Sequence, residues 1–172
     1  VPNPAWELVQ ILASMKDHNG AVTIDGFYED VKELDEQDRE VLSNIPVDED
    51  QIKADLSIPG FADGPGDTHL EKNLYYPTLN ISGFSSGYTG DGFQNAVPNT
   101  ARAQVDIRLV MNQTPDDIYE NFVEHVNDVQ SGLIDISISR HASRKPDRAP
   151  LDTPLLASVT SALTDVWGNE PI

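Results

Sequence analysis

The chain has 172 residues, of which 29 are acidic and 11 basic, and its formal charge is −18. Nucleic acid and anionic membrane surfaces are therefore disfavoured as partners, because phosphate contacts need clustered lysine and arginine. The sequence contains no cysteine, which excludes a disulfide framework, a thiolate zinc site and a cysteine nucleophile. The composition predicts a soluble globular protein with one compact domain, or one domain with parts of another, and we expect a cytoplasmic location.

The first predicted helix has a clear start. Asn3 can cap it and Pro4 takes the first helical position. Asn19-Gly20 is expected to end it, so the helix covers about residues 3–18. Its apolar residues recur at helical spacing; they are Ala5, Leu8, Val9, Leu12 and Met15. A short strand-like segment, 21–24, follows.

An acidic excursion from a simpler core is predicted at about residues 29–72. Its segment 29–55 contains 11 acids and 3 bases, yet it also carries regularly spaced apolar residues. This pattern predicts two short amphipathic helices separated at Pro46. A loop rich in glycine and proline follows at 59–67. Its Asp67-x-His69 pair is the nearest approach to a metal motif, but no third ligand is evident, so we expect no metal site here.

Strict alternation of apolar and polar residues predicts the next strands. Thr78 to Phe84 alternates, and a glycine-rich turn follows it. In the strand after the turn, one face carries Ala101, Ala103, Val105, Ile107 and Leu109, and the other carries Arg102, Gln104, Asp106 and Arg108. Arg108 therefore lies on the polar face. A guanidinium there is either a solvated side chain, paired with Asp106 or Asp135, or a binding group for a carboxylate.

The remaining elements complete a recognisable order. Thr114-Pro115 begins a second helix, and alternation at 134–139 predicts a third strand. With one more strand before residue 1, the order becomes β-α-β-β-α-β, the ferredoxin-like split βαβ fold of the α+β class. Its antiparallel sheet has both helices on one face, because right-handed crossovers place them there.

The C-terminal part reads as a separate unit. A basic linker runs from His141 to Leu151, and Thr153 caps a further helix that ends at Trp167-Gly168. We therefore expect residues 1–140 to form one domain. Residues 141–172 are expected to be a linker and the first helix of a neighbouring domain, and Val1-Pro-Asn-Pro is typical of the interior of a longer protein.

No catalytic centre is evident in the sequence. The histidines, His18, His69, His125 and His141, form neither an HExxH nor a His-x-Asp pair. The glycines after the first hairpin strand connect two strands and match neither the phosphate-binding loop nor the dinucleotide fingerprint. We therefore expect this chain to contain no catalytic residue and to bind no metal ion or other cofactor by itself.

Five segments resemble the dimerisation, or lid, domain of the dinuclear zinc peptidases and deacylases. This family includes carnosinase, aminoacylase, acetylornithine deacetylase and succinyl-diaminopimelate desuccinylase. The segments are Val1-Pro-Asn-Pro-Ala-Trp, Pro77-Thr-Leu-Asn-Ile-Ser-Gly, Gly87-Tyr-Thr-Gly-Asp-Gly, Asn95-Ala-Val-Pro-Asn-Thr-Ala and Asp106-Ile-Arg-Leu-Val. The resemblance covers nearly the whole chain and is strongest from 77 to 112.

The resemblance implies a role for two residues. By residue type and spacing, Asn95 and Arg108 match the family's substrate-binding asparagine (or threonine) and arginine. In the family, the arginine binds the substrate carboxylate, and the asparagine approaches the active site of the partner subunit. The resemblance further implies a homodimer, formed through helix 3–18 and edge strand 78–84. The substrate would be a small peptide or an N-acyl amino acid.

The implied parent protein is a hydrolase in which two zinc ions, held by a catalytic domain outside this chain, activate water against an amide bond. The chain alone would then be inactive. The alternative is a free-standing ferredoxin-like module that binds a small molecule or has a regulatory role. A complete small hydrolase is disfavoured because no nucleophile or metal constellation is present.

Overall fold

The computed structural model describes residues 1–61, 64–150, 153–169 and 171. Its helices are α1 (Pro4–Ser14), α2 (Glu36–Asn44), α3 (Glu49–Leu56), α4 (His69–Tyr75), α5 (Pro115–Val129) and α6 (Pro154–Trp167). Its strands are β1 (Thr78–Ser86) and β2 (Ala101–Arg108), which pair antiparallel. The predicted α+β class with an antiparallel sheet is confirmed.

The helix ends follow the local sequence. The Asn3 side chain accepts a hydrogen bond from the Ala5 amide at 2.9 Å, and Thr114 caps α5 in the same way through Asp117. Such a cap satisfies one of the amides that a helix start leaves unpaired. Helix α1 ends at Ser14, earlier than the predicted end near residue 18, and an isolated antiparallel bridge between Lys16 and Val22 follows.

The core lies between the apolar face of the hairpin and helices α1 and α5. It is a cluster of eight buried side chains: Ile11, Met15, Val22, Ile24, Phe27, Leu79, Ile118 and Val126. Burial of each large apolar side chain contributes about 1.5–3 kcal/mol. The predicted apolar stripe of α1 is wrong at two positions. Ile11, which the stripe omits, is buried, and Val9, which it includes, is 41% exposed. The opposite, polar face of the hairpin carries Arg108.

The predicted third strand is not formed in the part of the chain that the structure describes. Residues 135–150 are assigned neither to a helix nor to a strand, and the described sheet contains β1 and β2 alone. A strand is held by hydrogen bonds to a neighbouring strand, and no described segment pairs with 134–139. Ile138 still packs against the core, whereas Ile136 is 37% exposed.

Two regions lie outside this core: the acidic excursion and the C-terminal helix α6. In the acidic excursion, α2 and α3 are the two predicted helices, whereas α4 was not predicted. Helix α6 buries none of its described residues, and Leu155 and Val166 are 74% and 78% exposed. The end of the predicted linker, Leu151, lies outside the described residues. Among the helices that are described, none is long and apolar enough to cross a membrane.

Candidate functional site

Arg108 lies at the C-terminal end of β2, on the polar face of the hairpin. It pairs with Thr78, and Asp106 pairs with Asn80, so all four side chains share one face. The Arg108 side chain is 81% exposed, and its Nε is 3.9 Å from the Asp106 carboxylate. That distance is too long for a hydrogen bond. The Arg108 guanidinium can therefore bind an anionic group through two parallel N–H donors.

A cleft of about 280 Å³ opens beside Arg108. Both strand ends and the segment before β1 line it: Asn73, Leu74, Tyr76, Thr78, Asn80, Arg108, Leu109 and Val110. Its volume lies just below the range of roughly 300–1,000 Å³ typical of small-molecule sites. The sequence did not indicate Asn73, Tyr76 or Asn80 as site residues. Their only signal was the position of Asn80 on the polar face of the strand.

Asn95 lies far from this cleft along the hairpin. It is exposed in the connection between Ser86 and Ala101, at the opposite end of the strands from Arg108. The seven residue steps from Ala101 to Arg108 span roughly 24 Å of strand. No hydrogen bond within the described residues joins Asn95 to Arg108. The two predicted site residues therefore do not form a single contact within one copy of the chain.

The glycine-rich turn before Asn95 has a defined conformation. The Tyr88 hydroxyl donates a hydrogen bond to the Asp91 carbonyl at 2.8 Å. A Cβ at Gly90 would lie 2.6 Å from the same hydroxyl, so only glycine allows the ring this position. Phe93 and Val97, on either side of Asn95, are 88% and 54% exposed. The loop therefore presents Asn95 among apolar side chains that point to solvent.

A partly buried ionic network ties the acidic excursion to the linker. Arg148 Nη2 donates to Asp38 Oδ1 at 2.6 Å and to the Tyr75 hydroxyl at 3.0 Å. The Tyr75 hydroxyl also donates to Asp38 at 3.2 Å, and the Arg148 guanidinium lies over the Tyr75 ring. Asp38 is 3% exposed. We refer to Asp38, Tyr75 and Arg148 as the latch.

The latch perturbs the titration of its members. The hydrogen bond from Arg148 is the main cause that lowers the pKa of Asp38 from 3.8 to about 2. Burial acts in the opposite direction, and the smaller contributions from the Asp35 amide and Tyr75 again favour the carboxylate. Burial raises the pKa of Tyr75. Asp38 therefore remains ionised, and the tyrosine neutral, at physiological pH.

The described residues contain no group of three His, Cys, Asp or Glu side chains that could hold a metal ion. His125 Nε2 lies 2.9 Å from the Ser14 hydroxyl, which itself donates to the Ile11 carbonyl. The hydroxyl must therefore accept from the imidazole, and Ser14 is not activated as a nucleophile. His69 stacks on Phe61 with ring centroids 3.7 Å apart. His125 is thus accounted for by a hydrogen bond and His69 by ring stacking.

Residues 1–132 match the family described as the peptidase dimerisation domain. The chain belongs to this family. The match includes α1, the acidic excursion, the hairpin with Arg108, and α5, and it confirms the resemblance found in the sequence. A free-standing ferredoxin-like module is not favoured.

Curated relatives of the dimerisation domain are dipeptidases. It is 22% identical to the Beta-Ala-His dipeptidase of Rattus norvegicus over 171 residues, which are 98% of this chain and 35% of the rat protein. It is 28% identical to the Cys-Gly metallodipeptidase dug1 of Schizosaccharomyces pombe over 137 residues, which are 77% of this chain and 28% of that protein. The chain therefore spans about a third of the length of these relatives.

Solved structures share the fold of the dimerisation domain. An M20 family metallo-carboxypeptidase from Sulfolobus solfataricus matches with a TM-score of 0.88 at 33% identity, over 99% of this chain and 38% of that chain. Human carnosine dipeptidase 1 matches with a TM-score of 0.84 at 23% identity, over 99% of this chain and 37% of that chain. The second likeness shows the fold alone.

Proposed function

We propose that the dimerisation domain is the lid of a metal-dependent hydrolase that cleaves small peptides or N-acyl amino acids, and that Arg108 binds the substrate carboxylate. The observation that carries the proposal is the exposed guanidinium of Arg108 beside a polar cleft, in a chain that belongs to the peptidase dimerisation family. The dipeptidase names of the relatives favour dipeptides as substrates.

The rest of the active site would lie outside this chain. Two zinc ions would supply the Lewis acidity for amide hydrolysis, and ligands for them would come from a catalytic domain. We propose that residues 141–172 include the linker to that domain and its first helix, because the apolar side chains of α6 are exposed here. A cytoplasmic location is also proposed, and the cysteine-free sequence is compatible with it. Metal analysis of the full-length protein tests the proposed zinc site, and two zinc ions per subunit are expected.

We further propose a homodimer that uses helix 3–18 and edge strand 78–84, and in which Asn95 approaches the active site of the partner subunit. Trp6 and Val9 on α1 are 66% and 41% exposed, and Ile81 and Phe84 on β1 are 52% and 48% exposed. Within the described sheet, β1 has β2 as its one neighbour, so its other edge is open. Open edges and exposed apolar faces favour association of two copies around a two-fold axis.

The carboxylate role is tested in the full-length protein that carries this chain. Replacing Arg108 with Ala should lower kcat/KM for a free-acid dipeptide about 10- to 100-fold, mainly through KM, because charge-assisted hydrogen bonds contribute about 1.5–3 kcal/mol. The matched amidated dipeptide should be affected little. Arg102→Ala, on the same face, serves as a control. Equal losses for both substrates would show that Arg108 does not bind the carboxylate.

The dimer is tested by light scattering on the full-length protein. Ile81→Asp should shift the mass toward that of one subunit, because a charge on this face opposes its burial. Leu56→Asp provides the matched control, since Leu56 is 61% exposed on α3, outside the proposed interface. A dimer that persists unchanged with Ile81→Asp would place the interface elsewhere.

A further inference from the structure

The cleft beside Arg108 has one wall that comes from the acidic excursion. Helix α4 supplies Asn73 and Leu74, Tyr76 follows it directly, and the hairpin supplies the facing wall. The excursion is therefore part of the same concave surface as the guanidinium. The polar groups of the cleft besides Arg108 are neutral ones: two amides, a threonine hydroxyl and a tyrosine hydroxyl.

The two amides come from different walls of the cleft that Arg108 lines. Asn80 is on the polar face of β1, because its neighbour in register, Asp106, is on the same face as Arg108. Asn73 is on the exposed side of α4, and its Nδ2 lies 3.1 Å from His69 Nε2. This bond orients the Asn73 amide, since His69 is itself stacked on Phe61. Both amides therefore line the same cleft as the guanidinium.

Contacts with other parts of the chain hold the wall formed by α4 in place. The Tyr75 hydroxyl is bonded into the latch with Asp38 and Arg148. The Tyr76 ring packs on Gly66, where a Cβ would lie 3.0 Å from a ring carbon. Thr68 caps the helix and the Glu71 carboxylate accepts from the Asp67 amide at 3.1 Å. Groups fixed in this way can select a substrate without first being ordered.

We propose that Asn73 and Asn80 are specificity-determining residues that bind the side chain of the residue whose carboxylate Arg108 holds. The cleft, at about 280 Å³, suits one terminal residue more than a longer segment. Amides both donate and accept hydrogen bonds, so the preferred side chain is uncharged and polar. An aliphatic side chain would cover the amides and leave their remaining polar atoms without hydrogen-bond partners. The proposal rests on the carboxylate role of Arg108.

The experiment compares two dipeptides with the full-length protein that carries this chain. Alanyl-glutamine and alanyl-methionine have C-terminal side chains of similar length, but only glutamine forms amide hydrogen bonds. For Asn73→Ala and for Asn80→Ala, the ratio of kcat/KM for glutamine over methionine should fall about three- to tenfold, the effect of one hydrogen bond. A merely structural role would lower both values together and leave the ratio unchanged.

Control variants separate this inference from the proposed function. Asn127→Ala, at an exposed position of α5 that does not line the cleft, should leave both values unchanged. If Arg108→Ala weakens free-acid substrates selectively while both asparagine variants keep the wild-type ratio, the inference is overturned and the carboxylate role stands. If the Arg108 variant shows no preference for free acids, the carboxylate role fails, and the inference fails with it. If the protein cleaves neither dipeptide, the inference is overturned, and the carboxylate role is then decided by the free-acid and amidated substrates alone.

Discussion

The core and the acidic excursion are stabilised by different interactions. The core combines residues 1–28 with the hairpin and α5, and its eight clustered side chains are apolar. Helix α4 extends the excursion beyond the predicted residue 72, to residue 77. The buried side chains of its described part include Leu34 but also Asp38 and Glu71. Apolar burial does not involve titrating groups, whereas the latch depends on charge and is weakened by salt. We therefore expect the excursion to open more readily than the core, and acid and salt to promote this opening.

This difference matters for the cleft because its two walls come from the two regions. The hairpin wall with Arg108 and Asn80 is anchored on the core through Leu79, which is 3% exposed. The wall with Asn73 and Tyr76 depends on the latch and on Gly66. A loosened excursion would therefore change the shape of the cleft while the guanidinium stays in position.

The largest effect is expected from a cavity in the core. Phe27 is 1% exposed, and Phe27→Ala should lower the free energy of unfolding by about 3–5 kcal/mol, through lost burial and an unfilled cavity. Urea unfolding of the 172-residue chain measures this change. Phe93→Ala is the control, because Phe93 is 88% exposed and its loss should cost less than about 0.5 kcal/mol. Similar losses for both variants would contradict the assigned core.

A smaller and more local effect is expected from the latch. Arg148→Ala leaves the buried Asp38 carboxylate without its closest cation, although the Lys32 ammonium remains 3.5 Å from the other carboxylate oxygen. We expect a cost of about 2–3 kcal/mol, lower than for a fully buried pair, because the Arg148 side chain is 32% exposed. Hydrogen exchange should accelerate in α2 and α4, while amides of α5 keep their protection.

The matched control for the latch is Arg140→Ala. Arg140 also pairs with a carboxylate at 2.7 Å, but its partner Asp116 is 76% exposed. Exposed pairs contribute about 0–1 kcal/mol, so this variant should leave exchange in α2 and α4 unchanged. Uniform acceleration along the whole chain with Arg148→Ala would show that the excursion and the core unfold as one unit.

Acid should loosen the excursion in the same way as Arg148→Ala. Because the folded pKa of Asp38, about 2, lies below its ordinary value of 3.8, the unfolded form binds more protons between these values. The stabilisation is complete above about pH 4, is lost as the pH falls toward 2, and amounts to roughly 2 kcal/mol. Exchange in α2 should therefore accelerate over this window. In Asp38→Asn that dependence should be flatter; an unchanged pH profile would exclude Asp38 as its source.

The sequence predicted those parts of the fold that depend on local signals. Proline and cap residues predicted the starts of α1 and α5, and strict alternation predicted β2 and the face on which Arg108 lies. Helix α4 was missed although Thr68 and Glu71 have the spacing of a capping box, because its glycine- and proline-rich surroundings favoured a loop. The spacing therefore carried a signal that the composition obscured.

The latch could not be predicted from the sequence. Its arginine and aspartate lie 110 positions apart, and the linker around Arg148 has no regular secondary structure. Acids are so numerous in the excursion that nothing local distinguishes Asp38 from its neighbours. Likewise, the wall of the cleft depends on the packing of α4 beside the end of the hairpin. Only the tertiary structure determines which charged and polar side chains meet there.

The smallest expected effects come from the removal of helix caps. One cap from the core and one from the excursion allow the two regions to be compared directly. Thr114 caps α5, which buries Ile118 and Val126, whereas Asp48 caps α3, which has no buried residue. Each cap should stabilise its own helix by about 1 kcal/mol. For Thr114→Ala this loss should appear in the global free energy of unfolding of the chain, because α5 is part of the core.

For Asp48→Ala the same loss should remain local. An eight-residue helix without buried contacts is marginal in water, so its fraying need not be coupled to unfolding of the core. Urea unfolding should leave the global free energy within about 0.3 kcal/mol of wild type, while exchange of the α3 amides increases about fivefold, as expected for roughly 1 kcal/mol. If Asp48→Ala lowered the global free energy as much as Thr114→Ala, the excursion would be an integral part of the folded core, and the α4 wall would then be as rigid as the hairpin wall.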